Sequence, residues 1–103
     1  MMYNVKITKE AKRDIEEIFS YIYSVLDNPI AANNFLNELE KSYLTVRDNP
    51  QIYACCNDAR LRKSGYRKII VKNYIAFYKV NVAENTIYIM RVIYGRRDYT
   101  KLI

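Results

Sequence analysis

The feature that most constrains the fold is a change in the spacing of apolar residues partway along the chain. Between residues 9 and 48 they recur every three or four positions, which is the spacing of one face of an α-helix. Between residues 66 and 94 the apolar residues follow the two-residue period of β-strands. A helix cannot bury such a stripe alone, so we expect the strands to form a sheet that covers the helices.

Two helices are predicted in the first half. Thr8 fits an N-cap, and the helix that follows spans residues 9–26. Asn28 and Pro29 fit the cap and first position of a second helix, which ends near Asp48. Because two or three residues join the helices, we expect an antiparallel hairpin. The predicted apolar faces comprise Ala11, Ile15, Ile18, Phe19, Ile22, Val25 and Leu26 in the first helix, and Ala32, Phe35, Leu36, Leu39, Tyr43 and Val46 in the second.

The remaining segments read as strands. Tyr3, Val5 and Ile7 alternate with polar residues and predict a short first strand. After a loop at 51–59, we expect a short strand at 60–63 and longer strands at 66–72, 74–82 and 86–94. Two short turns make the last three an antiparallel meander, which the first strand joins at its edge. The predicted class is α+β, in the order β-α-α-β-β-β-β. A helical hairpin packs on a four- to five-stranded antiparallel sheet, in one domain spanning residues 1–103.

Strict alternation in the last strand places Ile87, Ile89, Arg91 and Ile93 on one face. No face of the predicted sheet is wholly polar. The face that the hairpin leaves uncovered should therefore be a mixed aromatic and cationic surface. Such a surface suits stacked bases and phosphates, and it suits a bound amphipathic peptide equally well.

Charge divides the chain into two unlike halves. Residues 1–58 hold 6 Lys and Arg against 9 Asp and Glu, a net charge of −3. Residues 59–103 hold 11 against 2, a net charge of +9, which together give the +6 of the whole chain. A split of this size indicates a surface that faces a polyanion or an acidic protein segment.

Composition also argues against several classes of function. The chain has no His and only two Cys, the adjacent Cys55 and Cys56, so we expect no metal site and no cofactor. Adjacent cysteines rarely pair with each other, and both should be reduced. No apolar run approaches the roughly 18 residues that span a bilayer. The first residues alternate and carry charge, unlike a signal peptide, so we expect a cytoplasmic protein without a membrane partner.

The candidate binding residues are basic. Arg96 and Arg97 follow Gly95 just beyond the last strand, and Asp98 alone cannot neutralise both. Arg91 lies inside an apolar strand and must be paired, either in a structural ion pair or in a site. The other candidates for contacts with RNA or a protein partner are Arg60, Arg62, Lys63 and Lys68, although charges on an edge strand can also serve only to keep it in solution.

Three segments, in order, resemble the RelE/ParE toxins of bacterial type II toxin–antitoxin systems. They are Gly65-Tyr66-Arg67, Tyr74-Ile75-Ala76-Phe77-Tyr78 and the closing Arg91-Val92-Ile93-Tyr94-Gly95-Arg96-Arg97-Asp98. The resemblance covers essentially the whole chain. It implies a toxin neutralised by a co-expressed antitoxin in a hetero-oligomer, and the basic half fits an acidic partner segment.

The resemblance leaves the target open. RelE-like members cleave mRNA in the ribosomal A site, whereas ParE-like members poison DNA gyrase and are not nucleases. If this chain cleaves RNA, the resemblance implies Arg67, Arg97 and Tyr99 as catalytic residues, because Arg and Tyr must then replace His around the phosphate. Ile75 departs from the nuclease pattern, where an Arg usually follows the Tyr. The long helices favour the ParE branch, so we expect a non-nuclease inhibitor. The alternatives are an mRNA endoribonuclease and a homologue that binds its antitoxin but is no longer toxic.

Overall fold

The computed structural model describes residues 2–103. This part of the chain forms, in order, strand β1 (Asn4–Ile7), helix α1 (Lys9–Ser20), a π-helical turn (Tyr21–Val25), helix α2 (Pro29–Asp48), helix α3 (Ala59–Lys63), strands β2 (Arg67–Val71), β3 (Tyr74–Asn81) and β4 (Thr86–Tyr94), and a 3-10 turn (Tyr99–Lys101).

Both long helices begin at the predicted caps. Oγ1 of Thr8 accepts a hydrogen bond of 3.1 Å from the amide of Ala11 at the start of α1. Oδ1 of Asn28 accepts one of 3.1 Å from the amide of Ala31, and Pro29 lies in the first turn of α2. The caps satisfy amide groups that have no partner inside the helix, which is why these two starting points could be located from residue type.

The end of the first helix differs from the prediction. The α-helix ends at Ser20, and the next residues form a wider π-helical turn in which the amide of Leu26 bonds to the carbonyl of Tyr21 at 3.0 Å. Asp27 follows with a positive φ of 49°. The wider turn displaces the apolar face of the helix, so residues predicted to be buried at its end are exposed. Val25 is 68% exposed and Leu26 is 54% exposed.

The sheet has the strand order β1-β4-β3-β2. The meander β2-β3-β4 is antiparallel as predicted, and β1 joins at the edge as predicted. The expectation of a purely antiparallel sheet is wrong, because β1 runs parallel to β4 and the sheet is mixed. Only hairpin turns force neighbouring strands to be antiparallel, and β1 reaches β4 through the helices instead.

The helical hairpin packs on one face of the sheet and forms the larger core. This core includes Phe35 and Leu39 of α2 against Ala76 and Tyr78 of β3. We call this side of the sheet the helix side and the opposite side the far face. A second, smaller core lies on the far face, where Ile75, Phe77 and Ile93 are covered by other parts of the chain.

The prediction that residues 60–63 form a strand is wrong, because they belong to helix α3. Oδ1 of Asp58 accepts a 3.0 Å bond from the amide of Leu61 and caps this helix. Leu61 is the one apolar residue among basic neighbours, and it is fully buried in the far-face core. A single apolar residue cannot distinguish a period of two from a helical turn.

The far face is also less open than predicted. Leu102 and Ile103 pack on the far-face core beside Tyr99, so the end of the chain covers part of the sheet. The part of the far face around Lys68 and Lys79 keeps the mixed aromatic and cationic character that the sequence indicates.

An irregularity in β4 reverses the predicted facing of its second half. Tyr78 is opposite Ile89, but the next residue pair is Phe77 with Arg91, so Met90 is an extra residue in β4. Beyond such a bulge the alternation moves by one position. Ile87 and Ile89 therefore face the helices, whereas Arg91 and Ile93 lie on the far face. The prediction that these four side chains share one face is wrong.

Asp14 of α1 closes the edge of β4 where β1 ends. Oδ2 of Asp14 accepts bonds from the amide of Val92 at 3.0 Å and from Nε of Arg91 at 2.7 Å, and Oδ1 accepts from the same guanidinium at 3.1 Å. A third bond, of 2.9 Å, joins this guanidinium to the carbonyl of Leu102. The hydrogen bond to Asp14 raises the pKa of Arg91. Arg91 therefore forms a structural ion pair with Asp14, and its hydrogen bonds connect α1, β4 and the end of the chain.

Removing the hydroxyl of Tyr78 tests a buried contact between the sheet and the loop after α2. This hydroxyl donates a 2.8 Å bond to the carbonyl of Pro50, and burial raises the pKa of Tyr78 to about 12, so it remains a donor. We expect Tyr78→Phe to lower the free energy of unfolding by about 1–2 kcal/mol, since a buried carbonyl loses its partner. Tyr43→Phe is the control, because the buried Tyr43 hydroxyl has no hydrogen-bond partner among residues 2–103. Urea unfolding measures the free energy of unfolding of both variants. Equal losses in the two would contradict a stabilising bond from Tyr78 to Pro50.

The two kinds of arginine near the end of β4 should differ in their effect on stability. Arg91→Ala leaves the carboxylate of Asp14 without its cation, and we expect a loss of about 2–3 kcal/mol for this partly buried pair. Arg97→Ala removes an exposed side chain, so its effect should stay within about 0.5 kcal/mol. Thermal and urea unfolding measure both, and a stable Arg91→Ala protein would refute the structural role of this ion pair.

Candidate partner-binding surfaces

Arg67 is occupied inside the fold. Its guanidinium donates bonds of 2.7 Å to the carbonyl of Tyr53 and of 2.7 Å to Oε1 of Gln51. It lies opposite Tyr78 on the helix side of the sheet. Both acceptors belong to the loop that follows α2, so this side chain holds the loop against β2.

Tyr99 lies on the far face. Its ring centroid is 4.9 Å from that of Phe77, and the ring is half-buried against the smaller core. Tyr99 therefore packs as a core aromatic, on the opposite side of the sheet from Arg67.

Arg96 and Arg97 extend from the end of β4 into solvent. The preceding turn is tight, because the amide of Gly95 donates a 2.8 Å bond to the carbonyl of Asn73. A Cβ at position 95 would lie only 3.2 Å from that oxygen, which favours Gly. Neither guanidinium makes a hydrogen bond or an ion pair within the described part of the chain. These two charges are thus available to a partner.

The predicted nuclease residues are not brought together. Arg67 pairs with Tyr78 in the middle of β3, whereas Tyr94, three residues before Arg97, pairs with Tyr74 at its beginning. These positions on β3 are about 13 Å apart. With Tyr99 packed on the other face, the three side chains do not converge on a common point.

The remaining predicted binding residues lie along α3 and β2. Arg60, Arg62 and Lys63 are exposed on α3, and Nε of Arg62 donates a 3.1 Å bond to the carbonyl of Cys56. Lys68 lies on the far face opposite Phe77. The sequence reasoning missed a neighbour of this group. Lys79 lies 4.5 Å from the centroid of the Tyr66 ring, a cation–π contact on the same face of the sheet.

A first groove, the end groove, opens where the tip of the helical hairpin meets the ends of the strands. It has a volume of about 680 Å³. It is lined by Glu17, Ile18, Tyr21, Leu26, Asn73, Tyr74, Tyr94 and Arg97. Burial and the neighbouring phenols of Tyr94 and Tyr21 raise the pKa of Tyr74, so this aromatic group stays uncharged. The sequence reasoning named only Arg97 here, because the apolar members had been assigned to the core.

A second groove, the edge groove, runs between β1 and α2 and has a volume of about 760 Å³. It is lined by Tyr3, Asn4, Val5, Lys6, Ile7, Glu40, Tyr43, Leu44 and Arg47. Burial, with a smaller effect of Glu40, raises the pKa of Tyr43 to about 12, so its hydroxyl stays protonated. That hydroxyl is the buried group without a hydrogen-bond partner noted above. The sequence contained no signal for this groove, since its residues come from two distant segments.

The two edges of the sheet differ in accessibility. Residues 54–56 cover the beginning of the outer edge of β2, because the amide of Cys56 donates to the carbonyl of Tyr66 at 3.1 Å and the amide of Lys68 donates to the carbonyl of Ala54 at 3.2 Å. On the outer side of β1 the amide of Tyr3 bonds to the carbonyl of Arg47 at 3.1 Å, and the outward backbone groups of Val5 and Ile7 have no such partner in residues 2–103. The edge groove is therefore bordered by the backbone of an open edge strand.

The described residues include no group of three or more His, Cys, Asp or Glu side chains placed to hold a metal ion. Cys55 and Cys56 are free thiols, and burial raises the pKa of Cys56. No helix within residues 2–103 has the length and apolar character to cross a membrane.

Comparison with solved structures identifies the fold. A chain of a chromosomal ParDE TA system from P. aeruginosa superposes with a TM-score of 0.69 at 20% identity, over 90% of this chain and 96% of that one. The isolated RelE toxin of E. coli gives a TM-score of 0.64 at 16% identity, over 97% and 92%. A chain of the RelBE2 toxin–antitoxin complex from Mycobacterium tuberculosis gives 0.61 at 17%, over 91% and 99%. No curated protein sequence matches this chain.

A family model adds evidence from sequence. The model described as the ParE toxin of type II toxin–antitoxin system, parDE, matches residues 5–99. This match runs from β1 to the 3-10 turn and includes every helix and every strand of the described fold. The chain therefore belongs to the ParE toxin family of type II toxin–antitoxin systems.

Proposed function

We propose that this toxin inhibits growth by binding a protein target, DNA gyrase, and does not cleave RNA. The observation that carries the proposal is the separation of Arg67, Arg97 and Tyr99 described above. Cleavage of RNA requires a base that activates the ribose 2′-hydroxyl and cations that stabilise charge on the phosphate. These side chains must therefore lie within hydrogen-bond distance of the same nucleotide. The separation of these three side chains in the fold supports binding of a protein target over cleavage of RNA.

Ile75 supports the same proposal. It occupies the position where the nuclease pattern has an Arg, and it is 9% exposed within the far-face core. A cation there would have to displace Leu61 or the end of the chain from this core. The apolar residue is thus part of the packing, and the surface that a nuclease would use for phosphate is partly filled.

The family assignment also implies an antitoxin, and the solved relatives include a ParDE system and RelBE complexes. We place its main contact at the edge groove. The amides of Asn4 and Thr8 donate to carbonyls of Asn85 and Ile89 at 3.0 and 3.1 Å. Alternate residues of a strand point their backbone groups to opposite sides, so those of Val5 and Ile7 point away from β4. An added strand would pair with them.

Side chains of the edge groove favour an extended acidic segment as that strand. Lys6 and Arg47 line the groove and attract a carboxylate, whereas a second copy of β1 would bring Lys6 next to its own counterpart. Leu44, 57% exposed, offers an apolar contact to the same segment. Such a segment would pair with the open backbone groups of β1, neutralise the two cations and cover the exposed apolar side chain.

The target is tested by two assays on the purified toxin. We expect the wild-type protein to inhibit supercoiling of relaxed plasmid by gyrase and to leave ribosome-bound mRNA intact. Arg67→Gln should retain inhibition wherever the protein stays folded, since we assign Arg67 to the loop contact. Cleavage of the mRNA, abolished by Tyr99→Phe, would contradict the proposal and favour the nuclease alternative.

Two proline variants test the antitoxin contact. Val5→Pro removes an outward amide without breaking a bond to β4, so the toxin should fold but bind the antitoxin encoded with it at least tenfold more weakly. Lys6→Pro is the matched control, because it removes an inward amide and should destabilise the sheet itself. Titration calorimetry and thermal unfolding measure the two effects. Wild-type affinity in a folded Val5→Pro protein would exclude strand addition at β1.

One observation favours the nuclease as a second candidate. The part of the far face around Lys68, Lys79 and Tyr66 is cationic and aromatic, a combination that binds single-stranded RNA.

The third alternative, a homologue that is no longer toxic, predicts normal growth when the toxin is expressed without its antitoxin. Growth arrest in that experiment would exclude it.

A further inference from the structure

The tip of the helical hairpin carries an unusual concentration of exposed apolar side chains. Tyr21, Tyr23, Val25, Leu26 and Ile30 are between 46% and 75% exposed, and all five lie within ten residues of sequence. Within the π-helical turn Ile22 alone is buried in the core, and the side chains on either side of it are exposed to solvent. π-helical turns of this kind are frequent at functional sites.

The apolar surface continues across the strand ends. Tyr94, 37% exposed, is 5.7 Å from Tyr74 between ring centroids, and both line the end groove with Leu26. A second cleft of about 230 Å³ adjoins it and shares Leu26, Asn73 and Tyr74. The two clefts form one continuous depression across this end of the molecule. The six exposed apolar side chains at this end present roughly 500 Å² to solvent. Tyr21, Leu26 and Tyr94 among them line the depression itself.

We infer that the end groove binds an amphipathic helix of the poisoned target protein, with acidic residues beside its apolar face. This inference rests on the proposed function, since it requires a protein target. The groove borders a strand edge only at the last residues of β4, where the amide of Val92 is already bonded to Asp14, so a helix with an apolar stripe fits this site better than an added strand.

The charges around the groove favour a partner that carries acidic residues. Arg97 lines one cleft and Lys72 the other, and neither cation has a hydrogen bond or an ion pair within the described part of the chain. Glu17 is the one acidic residue that lines the two clefts. Two unpaired cations against one carboxylate attract a segment that carries negative charge.

A second copy of this chain is a poorer occupant. A symmetric contact would bring Arg97 and Lys72 near their own counterparts, on molecules that each carry a net charge of +6. The exposed patch of roughly 500 Å² is also smaller than the ~800 Å² that each partner of a stable complex usually buries. A rigid helix that fills the groove can use further contacts on its own protein.

Leu26→Glu tests the inference on the full-length toxin. We expect the variant to lose inhibition of purified gyrase at least tenfold, while its affinity for the antitoxin stays within twofold. Val82→Glu is the matched control, because Val82 is 70% exposed and lies at the opposite end of β3, about 25 Å away. It should inhibit gyrase like the wild type. Arg97→Glu should also lose inhibition, and its exposed position protects the fold.

Each remaining outcome overturns the inference. If the wild type inhibits gyrase and both Leu26→Glu and Arg97→Glu inhibit it equally well, the groove is not the target site, and the proposed function stands. If the two variants lose antitoxin binding in parallel, the groove belongs to the antitoxin. If chromatography shows a wild-type dimer that Leu26→Glu converts to a monomer, the groove is a self-association site. If the wild type does not inhibit gyrase, this inference fails together with the proposed function.

Discussion

One end of this fold depends on the hydrogen bonds and the ion pair that the carboxylate of Asp14 makes. It accepts the amide of Val92 at the edge that β1 leaves uncovered, and it pairs with the guanidinium of Arg91, which in turn holds the carbonyl of Leu102. One partly buried carboxylate thus fixes a helix, a central strand and the end of the chain relative to one another. A partly buried charge is costly without its partner, so Asp14 and Arg91 must stay together. Their bond to Leu102 then fixes the segment that covers the far face after β4.

Much of the fold could be predicted because it depends on local rules. The caps Thr8 and Asn28 and the limits of β4 followed from residue type and spacing. The bulge at Met90 could not be predicted, since an extra residue in a strand is specified by its partners and not by its own pattern. Helix α3 was missed because a single buried leucine, Leu61, carries no period.

The candidate site was harder to predict than the fold. Charged residues were easy to find, but their roles depend on distant partners. Arg91 is bound to Asp14, Arg67 to Gln51, and only Arg96 and Arg97 of the predicted arginines beyond α3 extend freely into solvent. Apolar residues presented the opposite difficulty. Leu26 fits a helical stripe in sequence, and the π-helical turn that exposes it depends on the geometry of the hairpin tip.

The loop over the outer edge of β2 has a consequence for assembly. Residues 54–56 pair only with the beginning of that strand, through Tyr66 and Lys68, and the amide of Val92 on the edge of β4 beyond β1 is bonded to Asp14. Open-ended growth of stacked sheets requires each molecule to offer two complementary edges, one to give and one to accept. In this fold both edges are shortened by bonds within the chain, which leaves few backbone groups for a second neighbour. The architecture therefore disfavours fibre-like polymers of the folded toxin.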